Sequence, residues 1–301
     1  MPFDPETQQD RRRMKRRLFF WRILAVLFAI IALGIGFGEF GPTLDEPHVA
    51  RLNINNVIIE NDLRQQAIAR IAKNDQAKAL IVYINSPGGS TYGSEQLFNA
   101  LRRVAAKKPV ITVIGTIGAS GGYLTALAGE RIFAGESSIT GSIGVIVQLT
   151  EISELMATLG VKADAITSGP LKGEPSPFKP ISEGGRKNLQ DMVTQTHAWF
   201  VDLVAANRPL SREQAASLAN GGVLIGRAAV KAGLIDALGG LVEARQWLES
   251  DKGISTKLPL IAVDYSAPKG LAEQLLQGIW GKSFISERLT LDGLVSLWHP
   301  N

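Results

Sequence analysis

Two almost uninterrupted apolar runs, each ending in a glycine-rich turn, set the strongest limit on the fold of this chain. Residues 77–86 read AKALIVYINS, and residues 109–116 read PVITVIGT. A strand that is apolar on both faces is buried between two layers, which is typical of a parallel sheet. Because a helical pattern follows each run, the chain is predicted to be α/β with a largely parallel core.

Strand and helix patterns alternate through the rest of the chain as well. Further strands are predicted at 142–149 and 161–169, and a long helix at 181–208. Residues 39–48 have the composition of a linker, and one folded domain is predicted from 49 to 264. Residues 265–301 mix apolar and polar stretches, and this pattern does not indicate a role for them.

The N-terminus combines a basic cluster with a long apolar run. Residues 18–38 contain one charge near their start, and as a helix they would extend ~31 Å, enough to cross ~30 Å of hydrocarbon. The basic residues before this run place the tail, residues 1–17, in the cytoplasm. We therefore expect one transmembrane helix at 18–38 in the cell (inner) membrane, with the domain that follows in the periplasm or outside the cell. A cleaved secretory signal is the alternative.

Charge and cysteine content exclude several classes of function. Residues 1–22 carry seven basic and three acidic residues, an excess that equals the formal net charge of +4 for the whole chain. The charges of the remaining chain therefore cancel, which argues against a nucleic-acid partner. The chain contains no cysteine, so thiol nucleophiles, disulfides and thiolate metal sites are excluded.

A serine lies inside a tight glycine cluster after the second apolar run. Residues 113–122 read VIGTIGASGG. The next six residues, YLTALA, have a helical pattern. A turn from strand to helix exposes a hydroxyl, and the helix start supplies unpaired N–H groups and the positive end of a dipole. Ser120 is therefore the candidate nucleophile for acyl chemistry.

The three histidines are poorly placed to serve as the base for such a serine. His48 lies in the linker, His299 lies two residues from the C-terminus, and His197 lies within the predicted long helix. Catalytic groups collect on loops at strand ends, and none of the three lies on one. A Ser-His-Asp triad is therefore disfavoured, and His197 is interpreted as a packed or surface helix residue.

Lysine is the other candidate base, provided that burial keeps its amine neutral. Lys172 lies in a loop rich in glycine and proline, residues 167–180, that leaves a predicted strand. It could fold over the Ser120 turn beneath Leu171 and Phe178. A solvated loop lysine is the alternative.

A second glycine turn, INSPGGS at 84–90, follows the most apolar strand. Consecutive glycines at such a bend can direct backbone N–H groups at one point, which suits an oxyanion hole. No Walker sequence follows, so a P-loop is disfavoured. An ordinary strand-to-helix turn is the alternative.

Four motifs in order give the chain a family resemblance: INSPGG, GASGGY (118–123), ITGSIGV (139–145) and the SG-x-x-K that ends at Lys172. Together with the N-terminal anchor, they resemble the short signal peptide peptidases (SppA) of serine peptidase family S49. The resemblance covers about residues 50 to 250. It implies a crotonase-like (ClpP-like) fold with a repeated ββα core, and makes residues 49–264 a serine peptidase domain.

The resemblance also implies a role for individual residues. Ser120 would be the nucleophile of a Ser/Lys dyad and Lys172 its general base, with Ser142 orienting the lysine amine. The oxyanion hole would come from backbone N–H groups, for which the candidates are Gly88, Gly89 and Gly121. The family often has an acidic residue directly after the lysine, whereas here a glycine precedes Glu174.

The function implied is cleavage of remnant signal peptides and similar hydrophobic peptides through an acyl-enzyme. The implied partners are those peptides, the lipid bilayer and further copies of the chain in a homo-oligomer, with no cofactor and no metal. Two alternatives remain open, a crotonase-fold acyl-CoA hydratase or isomerase and a non-catalytic membrane scaffold of the same fold.

Overall fold

The computed structural model describes residues 17–27, 46–265 and 295–297, and the chain divides into two units, Met1–Thr43 and Leu44–Asn301. In the first unit, residues 17–27 form helix α1. No helix within the described residues is long and apolar enough to cross a membrane. From residue 28 onward, the predicted span at 18–38 lies outside the described residues. Most of the basic tail and most of the linker lie outside them as well.

The second unit alternates strands and helices in its described residues. The strands are β1 (His48–Asn55), β2 (Ala77–Ser86), β3 (Gly88–Ser90), β4 (Val110–Ala119), β5 (Arg131–Ala134), β6 (Ile139–Gly141), β7 (Val223–Ile225), β8 (Ala237–Leu238), β9 (Leu260–Ala262) and β10 (Val295–Leu297). The helices are α2 (Asp62–Lys73), α3 (Thr91–Ala105), α4 (Gly121–Ala126), α5 (Ser153–Thr158), α6 (Glu183–Asn207), α7 (Arg212–Leu218), α8 (Gly226–Lys231) and α9 (Leu241–Lys252). The long helix predicted at 181–208 is thus confirmed as α6.

Eight strands form one sheet in the described part of this unit, with its main path in the order β7-β6-β4-β2-β1-β9. Its strands pair in parallel except for β6 with β7. The long strand β4 pairs with β5 through residues 111–114 and with β6 through residues 117–119. This change of partner brings the carboxyl ends of β4 and β6 together, which places the Ser120 turn beside the end of β6.

Both faces of the central strands are buried, as the two apolar runs predicted. In β2, Leu80, Val82 and Ile84 belong to one apolar cluster and Ala79 and Ile81 to a second. The first cluster includes buried side chains of α2, α3, α4 and α6, and the second includes those of α9. Helices therefore cover the parallel sheet on both sides, and the predicted α/β class is confirmed.

The strands predicted at 142–149 and 161–169 are wrong. β6 ends at Gly141, where the chain turns, and residues 161–169 form neither strand nor helix. An alternating pattern produces a strand only where a neighbouring strand accepts its backbone hydrogen bonds. In residues 161–169 the apolar side chains remain in solvent, and Ile166 is fully exposed, whereas Ile143 in the other segment is buried without strand pairing.

Candidate active site

Ser120 occupies a strained turn between β4 and α4. Its backbone φ is +53° and its ψ is −119°, a conformation that side-chain-bearing residues seldom adopt. The turn is held on both sides, since the Ser120 N–H donates to Gly141 at 2.8 Å and the Ser120 carbonyl accepts from the Leu124 N–H at 2.8 Å. The residue is 1% exposed. Strain of this kind at a serine is typical of a nucleophile elbow.

Gly89 lies against the backbone of Ile58, and no larger residue fits there. A β-carbon on Gly89 would overlap the Ile58 carbonyl oxygen. The Ile58 N–H donates to Gly88 at 2.8 Å, and the Ser90 N–H donates to Ile58 at 2.9 Å. Because successive residues of a strand direct their N–H groups to opposite edges, the Gly89 N–H points away from Ile58.

The Gly89 nitrogen lies beside the start of α4. A β-carbon on Gly121 would lie 3.1 Å from the Gly89 nitrogen, so the two glycines meet beside Ser120. The Gly88 N–H instead donates to Ser86 Oγ at 3.2 Å. Of the three glycines that the sequence suggested, Gly88 therefore has its N–H bonded within its own turn, and Gly89 and Gly121 are the better candidates for donors to a substrate.

The edge of β3 that carries Gly89 also pairs with a second strand. β10 lies antiparallel to β3, with Val295 opposite Ser90, Ser296 opposite Gly89 and Leu297 opposite Gly88. This short segment comes from residues 265–301, to which the sequence assigned no role. It is direct evidence that the edge next to the Ser120 turn accepts an extended chain.

Ser142 lies one residue beyond β6 and next to the Ser120 turn. It also has a positive φ, +49°, and its N–H donates to Gly222 at 2.8 Å. The Gly221 N–H donates to the Ile143 carbonyl oxygen at 3.2 Å, so the turn at 220–222 holds both residues. Sequence analysis missed this turn, although Asn-Gly-Gly is a strong turn signal.

Lys172 lies in an exposed turn of the segment between β6 and α6. Its backbone N–H donates to Gly169 at 3.1 Å, and its side chain is exposed. The residues expected to cover it are open to solvent as well, with Leu171 44% and Phe178 50% exposed. The structure therefore brings Ser120, Ser142 and the two glycines together but does not bury Lys172 with them in a single copy of the chain.

Glu174 connects the Lys172 loop to the start of α6. Its carboxylate lies 3.1 Å from the Lys179 ammonium, and this interaction lowers the pKa of Glu174. A β-carbon on Gly185 would lie 2.9 Å from the second carboxylate oxygen, so the side chain lies against the first turn of α6. The acidic residue displaced by one position from the family pattern therefore anchors the loop.

The described histidines have structural partners. The Nε2 atom of His197 lies 2.8 Å from the Ala219 carbonyl oxygen, and the Nδ1 atom of His48 lies 2.7 Å from the Glu46 carbonyl oxygen. His197 thus joins α6 to the end of α7, which confirms it as a packed helix residue.

Comparison with known proteins finds two families. The profile of peptidase family S49 matches residues 102–255, and that of the Clp protease family matches residues 52–140. A candidate protease of Methanocaldococcus jannaschii is 31% identical over 73% of this chain and 74% of its own length. A candidate signal peptide peptidase SppA of Enterococcus faecium is 31% identical over 69% of this chain and 64% of its own. The chloroplastic serine protease SPPA of Arabidopsis thaliana is 32% identical over 76% of this chain but only 34% of its own.

Proposed function

The chain belongs to peptidase family S49 and is a serine peptidase with a ClpP-like α/β fold, and on this premise we propose that it is a membrane-anchored endopeptidase that cleaves remnant signal peptides and similar hydrophobic peptides. The observation that carries the proposal is the strained Ser120 turn beside the convergent glycines Gly89 and Gly121. A hydroxyl and two backbone donors at one point are what acyl transfer requires.

In the proposed mechanism, Lys172 is the general base. The neutral amine accepts the Ser120 proton as the serine oxygen bonds to the peptide carbonyl carbon, and the ammonium then protonates the leaving nitrogen. Water repeats the sequence on the acyl-enzyme. Ser142 would orient the amine, and the N–H groups of Gly89 and Gly121 would bind the anionic oxygen.

The pairing of β10 with β3 supports an extended peptide as the substrate. Backbone hydrogen bonding along a free edge binds a chain with little dependence on its side chains, which suits an enzyme that degrades varied sequences. The edge over Gly88–Ser90 lies next to the Ser120 turn. An acyl-CoA ester can offer such an edge only its thioester carbonyl and the amides of its pantetheine arm, not a regular peptide backbone. The observed strand pairing therefore favours the peptidase over the hydratase or isomerase.

The exposed segment between β6 and α6 supports a homo-oligomer. Nine of its large apolar side chains lie in solvent, namely Ile146, Leu149, Ile152, Leu155, Leu159, Val161, Ile166, Leu171 and Phe178. Apolar surface of this extent marks an interaction site in a soluble domain. A neighbouring copy on this segment would also exclude water from Lys172, which a basic amine requires if it is to stay neutral.

The N-terminal region supports a single-pass anchor at 18–38 with the N-terminus in the cytoplasm and the catalytic domain in the periplasm or outside the cell. Residues 17–27 are helical, and most of the apolar side chains in this helix are exposed. Bulky apolar side chains pointing outward from a helix suit hydrocarbon, and the basic residues before them suit the cytoplasmic face.

A covalent serine probe applied to the full-length protein in membranes tests the proposed function. We expect a fluorophosphonate to label the wild-type chain and not the Ser120→Ala variant. The matched control is Ser138→Ala, which removes another buried serine hydroxyl; labelling should persist there. Lys172→Ala should abolish peptide turnover and leave the fold intact. No labelling of the wild type would favour the scaffold or the CoA enzyme, and a thioester assay would separate those two.

A further inference from the structure

Ser94 carries a buried hydroxyl that the fold does not use. The residue lies in the first turn of α3, is 0% exposed, and its Oγ has no hydrogen-bond partner among the described residues. A serine at this position in a helix can donate to the carbonyl four residues earlier, and Thr125 does so to Gly121 at 2.9 Å. Buried polar groups are nearly always paired, so the unpaired Ser94 hydroxyl requires an explanation.

The position of this hydroxyl supplies the explanation. A β-carbon on Gly121 would overlap Ser94 Oγ and would lie 3.1 Å from the Gly89 nitrogen. The unpaired oxygen therefore lies beside Gly121, next to the two glycines whose N–H groups form the proposed oxyanion hole. Two backbone N–H groups and the Ser94 hydroxyl thus lie side by side, and in the resting chain β10 lies along the edge of β3 at Gly89.

Other buried hydroxyls around the site are engaged in holding the backbone. Ser86 Oγ accepts from the Gly88 N–H, Ser90 Oγ accepts from the Gly93 N–H, and Thr140 Oγ1 donates to the Gly118 carbonyl oxygen. Each stabilises a turn or a strand end. Within residues 46–265 Ser94 Oγ makes no such bond, so this part of the fold gains no visible stabilisation from its hydroxyl.

We propose that the Ser94 hydroxyl is a third donor of the oxyanion hole, a role that rests on the proposed peptidase function. When Ser120 Oγ bonds to the carbonyl carbon, the π electron pair of the carbonyl moves onto its oxygen, while the serine proton passes to Lys172. The Ser94 O–H then donates to that oxygen beside the N–H groups of Gly89 and Gly121. A donor that is unpaired in the resting enzyme and paired in the transition state contributes fully to the rate.

The test separates a catalytic donor from a packing residue by four measurements on Ser94→Ala. We expect kcat for a peptide substrate to fall about 100-fold with little change in KM. The affinity for a peptide aldehyde, which forms a tetrahedral adduct with the nucleophile, should fall by a similar factor. The affinity for the matching peptide alcohol, which forms no adduct, should not change. The thermal midpoint should stay the same or rise, because an unpaired polar group is removed.

The control is Ser138→Ala, whose Oγ donates to Gly115 at 2.5 Å and accepts from the Gly135 N–H at 2.9 Å. That variant should lower the thermal midpoint and leave kcat unchanged. Full activity in Ser94→Ala, or a loss of activity accompanied by a lower thermal midpoint or by weaker binding of the alcohol, would overturn the role of Ser94. If wild-type turnover survives Ser120→Ala, the proposed function itself fails, and the role of Ser94 fails with it.

Discussion

The backbone N–H of Ser120 donates to the carbonyl oxygen of Gly141 at 2.8 Å, and this one bond connects the ends of two parallel strands. It continues the β4–β6 ladder, in which Ala119 pairs with Gly141, by one residue past the end of β4. Ser120 and Ser142 are consequently neighbours, and both have a positive φ. The sheet itself therefore positions both the proposed nucleophile and the serine proposed to orient its base.

Gly89→Ala should both destabilise and inactivate the protein. The added methyl group would overlap the Ile58 carbonyl oxygen, which is held by the Ser90 N–H and cannot move alone. We expect a loss of about 2–3 kcal/mol in the free energy of unfolding, measured with urea, and no detectable peptide turnover. Gly169→Ala is the control, because a β-carbon there meets nothing within 4 Å. Wild-type stability in Gly89→Ala would contradict this arrangement.

Two substitutions at Ser142 should separate its hydroxyl from its backbone conformation. A residue with a side chain at φ +49° costs about 1 kcal/mol relative to glycine, so Ser142→Gly should raise the free energy of unfolding by up to that amount. Ser142→Ala keeps the strain and should leave stability near that of the wild type. Both variants should lower kcat, because neither has the hydroxyl that we propose to orient the Lys172 amine. If Ser142→Ala retained wild-type kcat, Ser142 would have only a role in the turn.

Asp236→Ala should be among the more destabilising substitutions away from the site. Arg208 lies at the end of α6 and makes two hydrogen bonds to the Asp236 carboxylate, both 2.9 Å long, and the guanidinium is buried. Removing its partner leaves an uncompensated charge, for which we expect a loss of about 3 kcal/mol in chemical unfolding. Asp202→Ala removes the partner of Arg212 in an exposed pair and should cost less than about 1 kcal/mol. Equal losses in the two variants would contradict the difference in burial.

Acid should loosen the Lys172 loop before the core unfolds. The hydrogen bond from Lys179 lowers the pKa of Glu174, so the stabilisation is present above the ordinary glutamate pKa of ~4.3 and is lost as the pH falls through the lower folded value. Amide exchange of residues 170–182 should therefore accelerate below about pH 4, after correction for the intrinsic rates. In Glu174→Gln, corrected exchange should already be fast at pH 7 and should not respond to acid. A wild-type loop with pH-independent protection would show that the pair does not order it.

Removing the last seven residues should improve the binding of peptide substrates. Residues 295–297 occupy the edge of β3 that we assign to substrate, so the two compete. Deletion of residues 295–301 should lower KM several-fold without changing kcat. A synthetic peptide of residues 291–301 should inhibit the truncated enzyme competitively, and a scrambled version should not. An unchanged KM would show that β10 does not block the substrate edge.

The central strands and the Ser120 turn could be predicted because their signals are local. An apolar run buried on both faces and a serine within glycines are visible in ten residues of sequence. The support for Gly89 could not be predicted, because Ile58 reaches it through an isolated bridge across about thirty residues. The false strand at 161–169 has the same origin. A local pattern does not show whether a partner strand exists, and none of the described strands pairs there.

Lys172 illustrates a different limit of the sequence. Its motif and its loop could be recognised, but the cover expected from Leu171 and Phe178 does not form within one copy of the chain. Local composition identified apolar side chains near the lysine without indicating what they pack against. The glutamate that anchors the loop was visible in the sequence only as a departure from the family pattern.

The antiparallel pairing of β10 with β3 also defines the chain polarity of a peptide bound along this edge. A chain aligned as residues 295–297 are has its N-terminal part beside Ser90 and its C-terminal part beside Gly88. Every peptide cleaved at this edge would bind with the same N-to-C direction. A peptide with the same side chains in reversed order should therefore be a poor substrate. Cleavage would thus depend more on the direction of the bound backbone than on the identity of its side chains.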